Sequence, residues 1–139
     1  VHAQLRTVYC EMIGSGSPSG RSIKISFDFG EQKYYYKASS DNQIIDEDGK
    51  VIDFSSMIDA LNYMADRGWK LHTAFSAAVK GQGGAETYRY ILFKEIGAGE
   101  SIMDGIRLLG EYKQEQREEK ERKQAAEEAK KSTWDDVYK

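Results

Sequence analysis

The sequence predicts an α+β protein in which an antiparallel sheet of about four to five strands, in the order β-β-β-α-β-β, carries one covering helix. Several short segments alternate apolar and polar residues, which is the period of a half-buried strand. One segment between them repeats its apolar residues at helical spacing. Glycine-rich turns join consecutive strands, and strands joined by short loops are antiparallel neighbours. A charged C-terminal extension follows, either helical or disordered.

The first two strands are expected to form a hairpin around a glycine-rich loop at residues 14–20. Residues 5–13 place apolar side chains on both faces, which is typical of an interior strand. Residues 22–29 alternate cleanly, so Phe27 and Phe29 are expected to point into the core.

A third strand is predicted over residues 32–37, where Tyr34 and Tyr36 share one face. A turn follows at residues 46–50, with a short apolar run on each side of it. These runs form either a small hairpin or an irregular excursion.

The helix is predicted over residues 56–67. Ser55 or Ser56 can cap its N-terminus, and Gly68 suits the left-handed conformation that ends a helix. The apolar stripe expected to face the core consists of Met57, Ile58, Ala60, Leu61, Met64 and Ala65.

Two further strands are predicted over residues 69–80 and 87–95, joined by a turn at 81–86. In the first of them, one face is expected to carry Trp69, Leu71, Thr73, Phe75, Ala77 and Val79. In the second, one face is expected to carry Tyr88, Tyr90 and Leu92, and the other Arg89, Ile91 and Phe93.

The composition changes after Gly99, which predicts a globular domain over residues 1–99 and a charged tail over residues 100–139. The first part holds 13 of the 16 aromatic residues, whereas 14 of the 21 residues in 111–131 are charged. The tail has no apolar seam for a coiled coil, so residues 111–131 are either a solvent-exposed single helix or disordered. One covering helix leaves the second sheet face to be covered by the segment after Gly99 or to be exposed.

Charge and composition disfavour several classes of protein. A net charge of −3 argues against a nucleic-acid binder, and no apolar stretch approaches the length of a membrane span. The single cysteine, Cys10, excludes an internal disulfide. Val1 and Ala3 fit the last positions before a signal-peptidase cut, which predicts an extracytoplasmic protein, periplasmic or secreted; the alternative is a cytoplasmic one.

No cofactor or metal is expected. Residues 16–22 contain glycine and Arg21 but lack the spacing of a phosphate-binding loop, and they lead into a strand rather than a helix. Residues 44–55 place Gly49 as a calcium loop would, but uncharged residues occupy the first and last ligand positions. His72 is the one well-placed base, and no nucleophile or second ligand stands near it in the sequence.

A helix that leads through Gly-Trp into a strand, and a returning strand that ends Ile-Leu-Phe-Lys, form a motif over about residues 5–95. The residues that carry it are Ala60, Leu61, Asn62, Tyr63, Met64, Gly68, Trp69, Ile91, Leu92, Phe93 and Lys94. This motif resembles a family of small bacterial α+β proteins with no known activity. The resemblance implies the fold and a bacterial origin, and it adds no catalytic residue.

Two sets of residues are candidates for binding. The strand tyrosines Tyr34, Tyr36, Tyr88 and Tyr90 combine an apolar ring with a polar tip, which suits a recognition surface; the alternative is that they pack the core. Trp134 and Tyr138 follow a polar spacer and share a helical face, which is typical of a short recognition motif; the alternative is an inert terminus.

The function predicted from these observations is a non-catalytic binding or interaction module for an unknown protein partner, since no catalytic constellation can be assembled. In this hypothesis the tail is a spacer that carries Trp134 and Tyr138 to the partner. The first alternative is binding of a small molecule or glycan through the strand tyrosines. The second is an unrecognised enzyme that uses His72.

Overall fold

The computed structural model describes residues 4–16, 23–30, 39–78 and 86–137. Its four strands form one antiparallel sheet in the order β2-β1-β4-β3. The elements are β1 (Arg6–Gly16), β2 (Ile23–Asp28), a 3₁₀ turn (Ser39–Asn42), α1 (Met57–Ala65), β3 (Lys70–Ala78), β4 (Glu86–Ile96) and α2 (Leu109–Val137). The α+β class and the antiparallel sheet are therefore confirmed, while the strand predicted over 32–37 lies outside the described residues.

β1 lies in the interior of the sheet, as its two apolar faces predict. It pairs with β2 from Glu11↔Asp28 to Gly16↔Ile23. It also pairs with β4 from Arg6↔Ile96 to Ser15↔Thr87. β2 and β3 are therefore the two edges of the sheet.

One face of the sheet, the covered face, carries the hydrophobic core. Met12, Phe27 and Leu92 lie on it with at most 1% of their surface exposed. α1 packs there through Met57, Ala60 and Met64. A Cβ atom on Gly14 would stand 2.3 Å from the Met57 sulfur, so a larger residue at this position would force the Met57 side chain of α1 to shift. The rest of the core cluster is Val8, Cys10, Ile25, Phe29, Ile44, Phe54, Trp69, Ile96, Ile102, Ile106 and Leu108.

Both ends of α1 are closed by local hydrogen bonds. Ser56 is the N-cap and its hydroxyl accepts from the Asp59 amide at 3.0 Å. At the other end Gly68 adopts φ +91°, and the Trp69 amide donates back to the Met64 carbonyl at 3.1 Å. The predicted apolar stripe is too wide, because Ile58 is 56% exposed and only a narrow stripe of this nine-residue helix meets the sheet.

The predicted alternation of β3 is interrupted by a β-bulge. Leu71 pairs with Leu92 and Thr73 pairs with Ile91, with a register shift between them. The bulged residue moves every later side chain to the opposite face. The expectation that Leu71 and Phe75 share a face is therefore wrong, since Leu71 lies on the covered face and Phe75 on the other.

Residues after Gly99 contribute to the core. Ile102, Ile106 and Leu108 are each at most 5% exposed and belong to the core cluster. Arg67 ties this segment to α1, because its Nε donates to the Gly105 carbonyl at 3.1 Å. The boundary predicted at residue 99 stays a prediction, but a folded unit that keeps these contacts extends at least to residue 108.

α2 is docked at its first turns and projects beyond them. The Leu109 amide donates to the Gln43 carbonyl at 2.9 Å, and Lys113 forms an ion pair with Asp41 at 2.9 Å. From Glu115 to Trp134 every described side chain is exposed. The helical alternative for the tail is thus the correct one, and its 29 residues span about 43 Å at ~1.5 Å per residue.

Candidate functional site: the open face of the sheet

The second face of the sheet, the open face, has no helix packed against it among the described residues. α1 and the segment at 97–108 lie on the covered face. The described contacts of α2 are with the 3₁₀ turn, with Gln43, with the turn at Gly49 and with Arg107, and none of these is on the open face. Ring contacts place His72 on the open face. Strand pairing places there the side chains of Tyr9, Glu11, Ile13, Phe75, Arg89, Ile91 and Phe93, together with the charged side chains of Lys24, Asp28, Lys70 and Glu95. The sequence left two possibilities for this face, and in the described part of the chain it is exposed.

Three rings form a cluster on the open face. Tyr9 stands directly opposite Phe93 in the β1–β4 pairing. His72 lies beside both, with its ring centroid 6.1 Å from that of Tyr9 and 6.1 Å from that of Phe93. The interplanar angles of 71° and 87° are edge-to-face arrangements, which are favourable for ring pairs. His72 follows Leu71, which lies on the covered face, so the alternation of β3 places His72 on the open face, and the bulge then places Thr73 and Phe75 there too.

Apolar groups on the open face are strongly exposed. Tyr9 is 54% exposed and Phe75 is 51% exposed, while Ile13, Ile91 and Phe93 are half-buried among their neighbours. Contiguous apolar patches on a protein surface mark sites of interaction with proteins or ligands. Such a patch on three adjacent strands makes the open face the candidate site.

An ion pair lies on this face beside the apolar side chains. The Arg89 guanidinium contacts the Glu11 carboxylate, and the two side chains are diagonal neighbours on β4 and β1. The side chains are 40% and 25% exposed, respectively, so water screens the pair only in part. The pair therefore offers both a donor and an acceptor to a partner that approaches this face.

The predicted tyrosine surface is divided by the structure. Tyr88 and Tyr90 lie on the covered face, partly buried against the core, in line with the alternative of core packing. The neighbouring Glu86 carboxylate raises the pKa of Tyr88, which stays protonated at neutral pH. Tyr34 and Tyr36 lie outside the described residues. A role of these four tyrosines in binding stays a prediction.

The predicted tail motif lies at the far end of α2. Trp134 is 59% exposed and Val137, one turn further, is 66% exposed. Tyr138 and the N-terminal residues 1–3 lie outside the described residues. Trp134 is thus held on a helix, far along it from the docked first turns of α2.

The remaining reactive groups do not converge on the open face. Cys10 is buried on the covered face, and burial raises the pKa of its thiol to about 12, so the nucleophilic thiolate is not formed at neutral pH. The described residues contain no cluster of three or more His, Cys, Asp or Glu side chains that could hold a metal ion. None of the described helices is both long enough and apolar enough to cross a membrane.

Sequence reasoning missed Tyr9, Phe75 and Phe93 as site residues. The alternation in β1 and β4 already placed Tyr9 and Phe93 on the face opposite to Cys10 and Leu92. This alternation identifies the face of Tyr9 and Phe93 as a candidate site only when the core is known to lie on the other face. The alternation of apolar and polar residues could not place Phe75 on the open face, because the bulge at His72 moves Phe75 to the face opposite the predicted one.

Comparison with known proteins completes the description of the site. No family model matches the chain, and neither the curated proteins nor the solved structures give a significant match. The resemblance to a family of small bacterial proteins therefore stays a prediction.

Proposed function

We propose that this chain is a non-catalytic binding module that recognises a partner protein through the open face of its sheet. The observation that carries the proposal is the exposure of Tyr9 and Phe75, at 54% and 51%, on a sheet face that no described helix covers. Burying such rings against a partner stabilises a complex by about 1.5–3 kcal/mol for each fully buried side chain.

The arrangement of the open face matches what protein interfaces require. Aromatic side chains are the residues that most often dominate binding energy, and they work best at the centre of an interface. Tyr9, His72 and Phe93 are adjacent rings of this kind and fix one another by ring contacts. The Glu11–Arg89 pair beside them supplies orientation through charge complementarity. The partner is therefore a protein with a flat apolar patch that carries at least one charged or polar group.

α2 has a supporting role in this proposal. Most of the ~43 Å length of α2 lies between its docked first turns and Trp134. This distance is greater than the width of a standard interface on one small domain. Trp134 would therefore engage a second region of the partner, or a second partner. Simultaneous contact at two sites raises the overall affinity because the second binding event becomes intramolecular.

The alternative function is glycan or small-molecule binding. The platform formed by Tyr9, His72 and Phe93 favours it, because flat rings on a sheet present an apolar surface to a sugar ring. This alternative differs from the predicted tyrosine surface, since it uses Tyr9 in place of Tyr88 and Tyr90. The enzyme hypothesis has a weaker basis, because the His72 ring contacts two aromatic rings and no acid is described beside it.

The test measures how much partner protein is captured by the full chain and by two lysine variants of it. Tyr9→Lys places a charge in the ring cluster of the open face, and Ile58→Lys places one on α1 at nearly equal exposure, 54% against 56%. We expect the wild type and Ile58→Lys to retain the same partner, and Tyr9→Lys to lose it. Both variants should melt like the wild type, since both positions are exposed.

The other outcomes assign the function elsewhere. A partner that Tyr9→Lys retains and Trp134→Ala loses would move the interaction to α2. A partner lost equally by Tyr9→Lys and Ile58→Lys would show a general effect of charge and contradict the proposal. Binding of a purified glycan that depends on Tyr9, with no captured protein, would establish the alternative.

A further inference from the structure

β3 forms one outer edge of the sheet, and the described side chains along it are exposed. β3 spans Lys70–Ala78, pairs with β4 on one side, and has no strand on its other side among the described residues. A strand at an edge presents unpaired backbone N–H and C=O groups, which form a template for a further strand. Each side chain described on β3, from Lys70 to Ser76, is exposed.

Both faces of β3 carry exposed apolar side chains. Leu71 lies on the covered face and is 43% exposed, whereas Phe75 lies on the open face and is 51% exposed. A partner that docks on the open face would cover Phe75 and leave Leu71 in water. A strand added beside β3 gains cross-strand neighbours on both faces at once, so these exposures favour pairing at the edge.

Charge on β3 permits pairing with an identical strand. Lys70 is the one charged residue of the strand, and it lies at its beginning. Antiparallel pairing of two copies places the two Lys70 side chains at opposite ends of the ribbon, where they do not repel each other. The part of β3 that follows the bulge, Thr73–Ala78, is uncharged, and its pairing with β4 is regular.

The opposite edge does not compete for this role. β2 has only six residues, contains Lys24 and Asp28, and contacts the 3₁₀ turn. Among the described strands β3 is thus the edge open to pairing, and two copies joined through it form a closed pair with two-fold symmetry and no open fibre. Charged and short edge strands are the features by which proteins prevent pairing, and β2 has them whereas β3 lacks them after its bulge.

We infer that β3 pairs antiparallel with β3 of a second copy of this chain and forms a continuous eight-stranded sheet. Antiparallel neighbours are related by a two-fold axis perpendicular to the sheet, so both open faces lie on the same side. In this arrangement Phe75 lies opposite or next to Phe75 of the second copy. The dimer thus joins the two ring clusters around Tyr9 into one surface of twice the width.

The size of the contact sets the strength of the dimer. A nine-residue strand is ~30 Å long at ~3.4 Å per residue, and a sheet is ~10 Å thick, so each copy buries roughly 300 Å². The total, about 600 Å², lies below the ~1,200 Å² of stable complexes. The dimer is therefore weak and depends on protein concentration.

Sedimentation velocity of the full chain from micromolar to sub-millimolar concentration tests this inference. We expect the mass to rise from 15.8 kDa toward twice that value. Phe75→Lys and Ser76→Lys add charges on opposite faces of β3, and each should weaken the dimer by about tenfold or more because like charges then stand side by side. Ile58→Lys, which adds the same charge at an exposed position of α1, should leave the dissociation constant unchanged.

The remaining outcomes overturn the inference. A chain that is monomeric at every concentration contradicts it. A dimer that Tyr9→Lys and Phe75→Lys abolish but Ser76→Lys retains would be a face-to-face contact of the open faces. A dimer that only Trp134→Ala abolishes would be formed by α2. Loss of the dimer in Ser76→Lys with partner capture intact separates this inference from the proposed function.

Discussion

Ile106 tests whether the segment after Gly99 belongs to the core. Its side chain is 5% exposed within the core cluster. Ile106→Ala removes three carbon atoms, which is about 2.4 kcal/mol of burial at ~0.8 kcal/mol per methylene. The cavity left behind adds to this, so we expect a loss of about 3 kcal/mol in the free energy of unfolding, inside the ~2–5 range of such substitutions.

Ile58→Ala is the matched control, because it makes the same change at a side chain that is 56% exposed. We expect it to cost less than about 1 kcal/mol, since little burial is lost and alanine favours the helix. Urea unfolding followed by circular dichroism measures both values with a common slope. Equal costs at Ile106 and Ile58 would refute the assignment of residues 102–108 to the core.

Three further predictions concern the packing of α2 on the turn at Gly49 and the buried thiol of Cys10. Gly49 and Gly99 have similar left-handed φ values, +83° and +85°, but a Cβ on Gly49 would stand 2.6 Å from the Tyr112 ring and one on Gly99 would meet nothing within 4 Å. Gly99→Ala should therefore lower the free energy of unfolding in urea by about 1–2 kcal/mol, and Gly49→Ala should lower it by about 1–3 kcal/mol more. Equal losses would mean that Tyr112 does not pack on this turn. Cys10 should resist iodoacetamide near pH 8 until urea unfolds the chain, since burial raises its pKa from 9.0 to about 12. The same shift means that the free energy of unfolding falls as the pH rises above 9.0, where the unfolded thiol ionises first, and Cys10→Ala should remove that part of the pH dependence.

The strands with unbroken alternation were predictable from the sequence. Tyr9 and Cys10 lie on opposite faces of β1 as their positions require, and Phe27 is buried as expected. The period of two fails at His72, because one bulged residue reverses the phase and nothing in the local sequence marks it. That single residue determines that Phe75 lies on the open face.

The segment after Gly99 was harder to predict. Ile102, Ile106 and Leu108 follow no strand or helix period, so their burial depends on contacts far along the chain, such as the Ile44↔Leu108 bridge. The candidate site was missed for the same reason, since the open face is defined by where this segment packs. The helix α2 was one of two open possibilities, and its first turns are fixed by Lys113 and Asp41 across the fold.

The most direct test of the account is amide chemical-shift mapping of the isotope-labelled full chain on addition of the captured partner. We expect the largest changes around Tyr9, His72 and Phe93 on the open face, with much smaller changes around Met57 and Met64 of α1. Changes confined to α2, or to the covered face of the sheet, would contradict the claim that the open face is the interaction surface.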